Sequence, residues 1–184
     1  MNPTDTTCSC GSGKSYADCC LSFHEKKTVE IEPSGFVRSR FSAFVYGLTK
    51  HIMESTHPSN KDFAVEDEIS DKPTKRSKRL IWEKAIRNFA EEFEFANLSF
   101  DSETEDNKNA ANSDLAIVSI KLQRRVRGTT NFDFIEEKMR LKKGVDGAWL
   151  YLGSEMVNKG SPMSPSKPQR MVAGSVAKTG IAKS

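Results

Sequence analysis

Long hydrophobic runs are missing from this 184-residue chain. No apolar stretch approaches the roughly 18 residues that a membrane span needs, so a spanning segment is not expected. The first residues, MNPTDTT, lack the basic-then-apolar form of a secretory signal and the Arg-rich amphipathic form of a transit peptide, which points to a cytoplasmic protein with reduced thiols. No internal repeat is evident, and no nucleophile–base–orienter set can be picked out. A strong net charge is lacking too. The formal charge is +3, and Lys159, Lys167, Arg170, Lys178 and Lys183 carry five positive charges that no acid balances; taking those five away leaves about −2. The basic pI is therefore no argument for nucleic-acid binding. Cysteine is absent from all but one short stretch: the four cysteines fall within residues 8–20.

That stretch opens CSCGSGKS, and its second half imitates a phosphate loop. The phosphate-loop pattern needs a glycine five residues before Gly13, and Cys8 stands there; no buried strand precedes it either. The metal reading fits instead. Cys8 and Cys10 form one pair and Cys19 and Cys20 a second, with eight residues between Cys10 and Cys19. Four thiolates make the closed tetrahedral set of structural zinc, which leaves no position for a reacting water. Gly11 and Gly13 permit a tight turn that aims N–H groups at sulfur, and Lys14 is placed to offset the net charge of about −2 on such a centre. Adjacent cysteines pair with each other only in a strained ring, and a redox pair would take a C-x-x-C form, so disulfides are the weaker alternative. His24 is left outside the ligand set. So short a unit cannot bury a core, and metal would supply most of its folding free energy.

Beyond a charged connector, Val37, Phe41, Phe44, Val45, Leu48 and Ile52 recur at helical spacing. A helix is expected over about 34–46, with Ser34 as N-cap and Gly47 interrupting it, and a second over about 48–56, closed by Pro58. The segment 59–77 reads as mostly loop. A third helix follows in KRSKRLIWEKAIRNFAEEF, with Leu80, Ile81, Ala85, Ile86 and Phe89 on one side and the Lys75–Arg79 run at its start. From Phe93 the period becomes two, with a slip at Ala96–Asn97 that reads as a bulge. LAIVSIKLQRRV gives a second strand. A third carries Phe132, Phe134 and, after an interruption, Met139 and Leu141, and a fourth carries Trp149 and Tyr151; Trp82, Trp149 and Tyr151 are assigned to the core. ETEDNKNAANS reads as an exposed hairpin loop, and residues beyond Val157 as a disordered tail whose two Ser-Pro pairs need no function. Helices followed by a four-stranded meander make an α+β fold.

CSCGSGKSYADCC matches the SEC-C pattern known from the tail of the bacterial SecA translocation motor, and FVRSRFSAFVYGLTKHIMESTHP is similar to a segment of YchJ-like proteins. WEKAIRNFAEEFEFANLSF and DGAWLYLGSE add to that likeness. The resemblance implies zinc on Cys8, Cys10, Cys19 and Cys20. It also implies a nuclear-transport-factor-2-like cone, with three helices packed on a curved four-stranded antiparallel sheet. The expected organisation is a zinc motif over 1–24, the cone over 33–155 and a basic tail over 158–184. Where many bacterial members carry a second SEC-C unit this chain has the tail, and residues 103–113 look inserted. The implied role is recognition: an adaptor whose zinc knob contacts a protein partner, as SEC-C units contact a chaperone or the ribosome. RNA or ribosome binding through the tail and Lys75–Arg79 is a weaker possibility. Within the cone, Arg40 and His57 are the candidate pocket residues. Converging on a pocket, they would bind an anion or support acid–base chemistry; otherwise Arg40 pairs with a carboxylate or caps carbonyls, and His57 caps a helix C-terminus.

Overall fold

The computed structural model describes residues 6–28, 32–63, 75–101 and 114–157, the side chains of 75–77 excepted. The expected 103–113 loop, the tail and most of the 59–77 loop lie outside these residues, whereas 75–77 are already helical. Among the described residues four helices precede four strands: α1 (Leu21–His24), α2 (Pro33–Val45), α3 (Thr49–Glu54), α4 (Lys75–Glu92), β1 (Phe93–Phe100), β2 (Leu115–Val126), β3 (Asp133–Lys143) and β4 (Trp149–Met156). The single-turn α1 had no signal in the periodicity.

Helix α2 begins at Pro33 with Glu32 as N-cap, not Ser34; proline's fixed φ and missing N–H suit the first helical position. It ends where Gly47 adopts φ 66°. The Gly47 N–H donates to the Phe44 carbonyl and the Leu48 N–H to the Ala43 carbonyl. This paired closure needs a left-handed residue that glycine supplies without steric cost.

The sheet is an antiparallel meander in the order β1-β2-β3-β4. The slip in β1 is present: register shifts between Ala96 and Ser99, with Asn97 at φ 53°. A second shift, between Arg140 and Leu141, places Tyr151 opposite Leu141 and Ser154 opposite Met139. The extra residue lets Tyr151 and Ser154 share the inner face, which strict alternation would forbid. In β3 the inner residues are Ile135, Met139 and Leu141, while Phe134 is 64% exposed. Phe134 points away from the core, on the opposite face from Met139 and Leu141.

Phe36, Val37 and Phe41 of α2 pack into the sheet against Leu98, Ala116, Val118, Ile120, Met139, Leu141, Trp149 and Tyr151. Each large apolar side chain buried in this layer contributes roughly 1.5–3 kcal/mol. A second cluster joins Ala43, Ile52, Met53 and Ile86, with Trp82 only partly buried beside them. Leu80 and Ile81 are more than half exposed, so the buried face of α4 starts later than the apolar pattern implied. A chain of rings at Phe41, Phe44, Phe89, Phe93 and Phe95 closes the end of the core nearest α4.

Candidate metal centre and its seat on the cone

The knuckle is built from short-range turns. The Cys8 N–H donates to the Lys14 carbonyl and the Tyr16 N–H to the Thr6 carbonyl, folding the loop back on itself. Gly11 and Gly13, both at φ 77°, make the reversals. The N–H groups of Cys10 and Ser12 are thereby turned toward the sulfurs of Cys8 and Cys10. Ser12 Oγ lies 3.2 Å from Cys19 Sγ. Helix α1 then carries the chain away from Cys20.

The four sulfurs lie within 4.8 Å of one another. Cys10 and Cys19 are 3.5 Å apart and Cys19 and Cys20 3.8 Å. A tetrahedral ion with metal–sulfur bonds of about 2.3 Å spaces its sulfurs by about 3.8 Å, so the donor set fits one divalent, sulfur-loving ion. Cys8, Cys10 and Cys20 are buried and none of the four is in a disulfide. Hydrogen bonds from Cys20, and then from Ser12, hold the Cys10 thiol down at about 4, whereas burial pushes Cys8 up to about 11.

Behind the sulfurs lies a polar seam on α2. The His24 Nε2–H donates to the Ser39 carbonyl at 2.9 Å, and Nδ1 accepts from the Tyr16 hydroxyl at 2.7 Å. Both ring nitrogens are thus engaged away from the sulfurs, and burial lowers the His24 pKa. Ser42, fully buried, lies 3.3 Å from His24 Nε2 and hydrogen-bonds the Cys20 side chain. His51 stacks edge-on against His24 at 4.6 Å between centroids, and its Nε2 lies 3.1 Å from Ser39 Oγ. Tyr16 packs against Tyr46 at 4.5 Å. Arg38 donates to the Cys10 carbonyl at 2.7 Å. Sequence reasoning gave no role to Arg38, Tyr16 or His51, and it set His24 aside only as a ligand. The one available signal was the polar set Arg38, Ser39 and Ser42 in an apolar helix.

Arg40 points the other way, into the cone. Its Nη1 donates to the Ile52 carbonyl and to Ser55 Oγ, both at 2.7 Å, and its guanidinium lies 4.4 Å from the centroid of the Tyr151 ring. It therefore caps the end of α3. Burial lowers its pKa to about 10, which leaves it charged at neutral pH. The carboxylates whose charge it feels are Glu137 and Asp62, each with a pKa raised by burial. Tyr151 OH pairs with Ser154 Oγ at 2.8 Å, and Ser154 in turn hydrogen-bonds Glu137. His57 lies past the end of α3 and caps no helix. Its N–H donates to the Tyr151 carbonyl, and its Nδ1 accepts the Ser59 N–H at 3.0 Å. Among the described residues no hydrogen bond, ion pair or ring contact joins Arg40 to His57.

A four-strand sheet wrapped on helices, with a four-cysteine knuckle at its N-terminal side, defines a nuclear-transport-factor-2-like protein carrying a SEC-C motif. The family profile described as "YchJ, middle NTF2-like domain" matches residues 32–154, and the SEC-C motif matches residues 6–22. The chain belongs to the YchJ-like family. It is 41% identical over 63 residues to UPF0225 protein SG1365 of Sodalis glossinidius, covering 34% of this chain and 41% of that one. It is 42% identical over 53 residues to UPF0225 protein VV1_2912 of Vibrio vulnificus, covering 29% and 32%. The chain thus spans less than half the length of these curated relatives. Its fold resembles the solution structure of RPA3114, a SEC-C motif containing protein from Rhodopseudomonas palustris (TM-score 0.60, 23% identity, covering 83% of this chain and all of that one). It also resembles the crystal structure of a SEC-C motif containing protein from Psychrobacter arcticus (TM-score 0.58, 20% identity, 88% of each chain). Among the described residues no helix is long and apolar enough to cross a membrane.

Proposed function

We propose that this is a zinc-structured recognition protein, an adaptor in which Cys8, Cys10, Cys19 and Cys20 hold one Zn²⁺ and the knuckle is displayed on the cone for a protein partner. The observation that carries this reading is the closed cluster of four sulfurs within 4.8 Å, three of whose cysteines are buried. A fourfold thiolate set gives zinc a structural task, since no coordination position is left for a substrate. The exposed rim of the knuckle, with Gly13, Lys14, Ala17 and Asp18, is the surface a partner would meet. The unpaired cysteines fit a reducing compartment such as the cytoplasm. Chaperone or ribosome contacts are the expected partner class, as for other SEC-C units.

The test is metal content followed by capture. Purified protein should carry one zinc per chain, and Cys19→Ser should lose most of it. A protein partner retained by wild type should be released by Cys8→Ser/Cys10→Ser. Zinc content well below one per chain, or unchanged in Cys19→Ser, would overturn the site.

A second reading places a small-ligand or catalytic site inside the cone, with Arg40 and His57. It draws support from the group formed by buried Arg40 and Tyr151 with half-buried Ser154 and Glu137, and from Arg124 Nε, which is buried without a hydrogen-bond partner and whose charge Glu137 feels. The engagement of Arg40 with the end of α3 and of His57 with Ser59 supports the recognition reading over it. Retention of a small molecule by wild type but not by Glu137→Gln, seen by native mass spectrometry, would favour the second reading.

A further inference from the structure

The polar residues of α2 divide by helical phase. Arg38, Ser39 and Ser42 stand at i, i+1 and i+4, one face of the helix, whereas Arg40 is about 200° away from Arg38. That face meets the sulfur cluster. Arg38 extends along the knuckle and its Nη1 reaches the Cys10 carbonyl at 2.7 Å. Its guanidinium carbon lies 4.6 Å from the centroid of the Phe100 ring, so aromatic surface shields it on that side. Gly11 lies beside the same group: a Cβ there would stand 3.7 Å from Arg38 Nη1, an ordinary contact, and 3.2 Å from the Leu98 carbonyl, a tight one. Lys14, the cation sequence reasoning put beside the sulfurs, is exposed at the rim.

Four thiolates on a divalent ion leave a net charge of about −2, and partial burial makes that charge costly unless a cation is near. The planar fork of a guanidinium fixes where its charge sits. We propose that Arg38, a residue of the cone, is a positioning and charge-offsetting residue for the metal centre: it anchors the Cys10 arm and lowers the electrostatic cost of the bound thiolates. Ser42, one turn further along, hydrogen-bonds the Cys20 side chain directly. The metal affinity of the knuckle is then set partly by the cone. This rests on the reading of the four cysteines as a metal site.

The test uses the full chain, with zinc affinity measured by competition against a chromophoric chelator and with cobalt(II) as the spectroscopic probe. Arg38→Met keeps the stem packed and removes the charge. It should still bind one zinc per chain, with affinity lowered on the order of 10–100-fold. Its thiolate-to-cobalt charge-transfer band should move to longer wavelength, because sulfur electrons are easier to remove once the cation is gone. Arg38→Lys should recover most of both signals and serves if Arg38→Met does not fold. Affinity within twofold of wild type in Arg38→Met, an unmoved cobalt band, or an Arg38→Lys chain as weak as Arg38→Met would overturn the proposal while leaving the metal site intact. A wild-type chain that takes up no zinc would overturn the metal reading, and this one with it.

Discussion

His51 shows how one side chain can make the fold sensitive to pH without being a ligand. It lies in the seam between α2 and α3, and burial, with the neighbouring charges of His24, Arg40 and Lys26, drives its pKa down to about 3. The ordinary value is 6.5. Between these limits the unfolded chain takes up a proton that the folded chain refuses, so stability falls as pH drops below 6.5. At pH 5 the loss from this residue is about 2 kcal/mol. Asp62 and Glu137, with raised values, act in the opposite sense, but they are common to wild type and variant. His51→Gln should therefore lose less stability than wild type between pH 7 and pH 5, read by urea unfolding with chelator present throughout. Equal losses in the two chains would show that His51 does not carry this dependence.

At the scale of elements, the two knuckle glycines separate turn geometry from docking. Both have φ 77°, where a side chain is strained, but only Gly11 faces the cone; a Cβ at Gly13 meets nothing within 4 Å. Gly13→Ala should cost about 1 kcal/mol for the backbone alone. Gly11→Ala adds a 3.2 Å approach to the Leu98 carbonyl of β1, so its cost should be larger, about 2–3 kcal/mol. Chemical unfolding checks the order of the two, and equal costs would show that the knuckle does not bear on the sheet. The same elements show what was legible in the sequence. The knuckle was legible because cysteine spacing is local, and so was the β1 slip, because two bright positions fell out of phase. β3 was less legible, because Phe134 draws attention to the outer face, while Glu137 occupies an inner position among Ile135, Met139 and Leu141. Leu80 and Ile81 misled in the same way: apolar character marks what can be buried, and the neighbours decide what is. Arg38 stayed hidden for another reason. Its partner is 28 residues earlier in the chain, and periodicity carries no information on which helix face meets a separate unit.

For the molecule as a whole, the contacts across the seam should couple knuckle and cone, so that metal is felt far from the sulfurs. Tyr16, His24, Arg38, Ser42 and Tyr46 tie the cysteine cluster to α2, and α2 in turn forms the helical layer over the sheet. Both tryptophans, Trp82 and Trp149, belong to the cone, and the knuckle has none. Tryptophan fluorescence therefore reports only on the cone. An ion that binds the folded chain alone stabilises it by about 2.7 kcal/mol when free ion exceeds the dissociation constant a hundredfold. For a domain of this size that corresponds to a rise in melting temperature on the order of 5–10 °C. The tryptophan-detected transition should rise by about that amount on adding zinc and fall back on chelation, and it should do neither in Cys8→Ser/Cys10→Ser. A melting temperature that ignores zinc while the knuckle binds it would mean that the two units unfold separately, and that the hydrogen bonds across the seam carry no coupling.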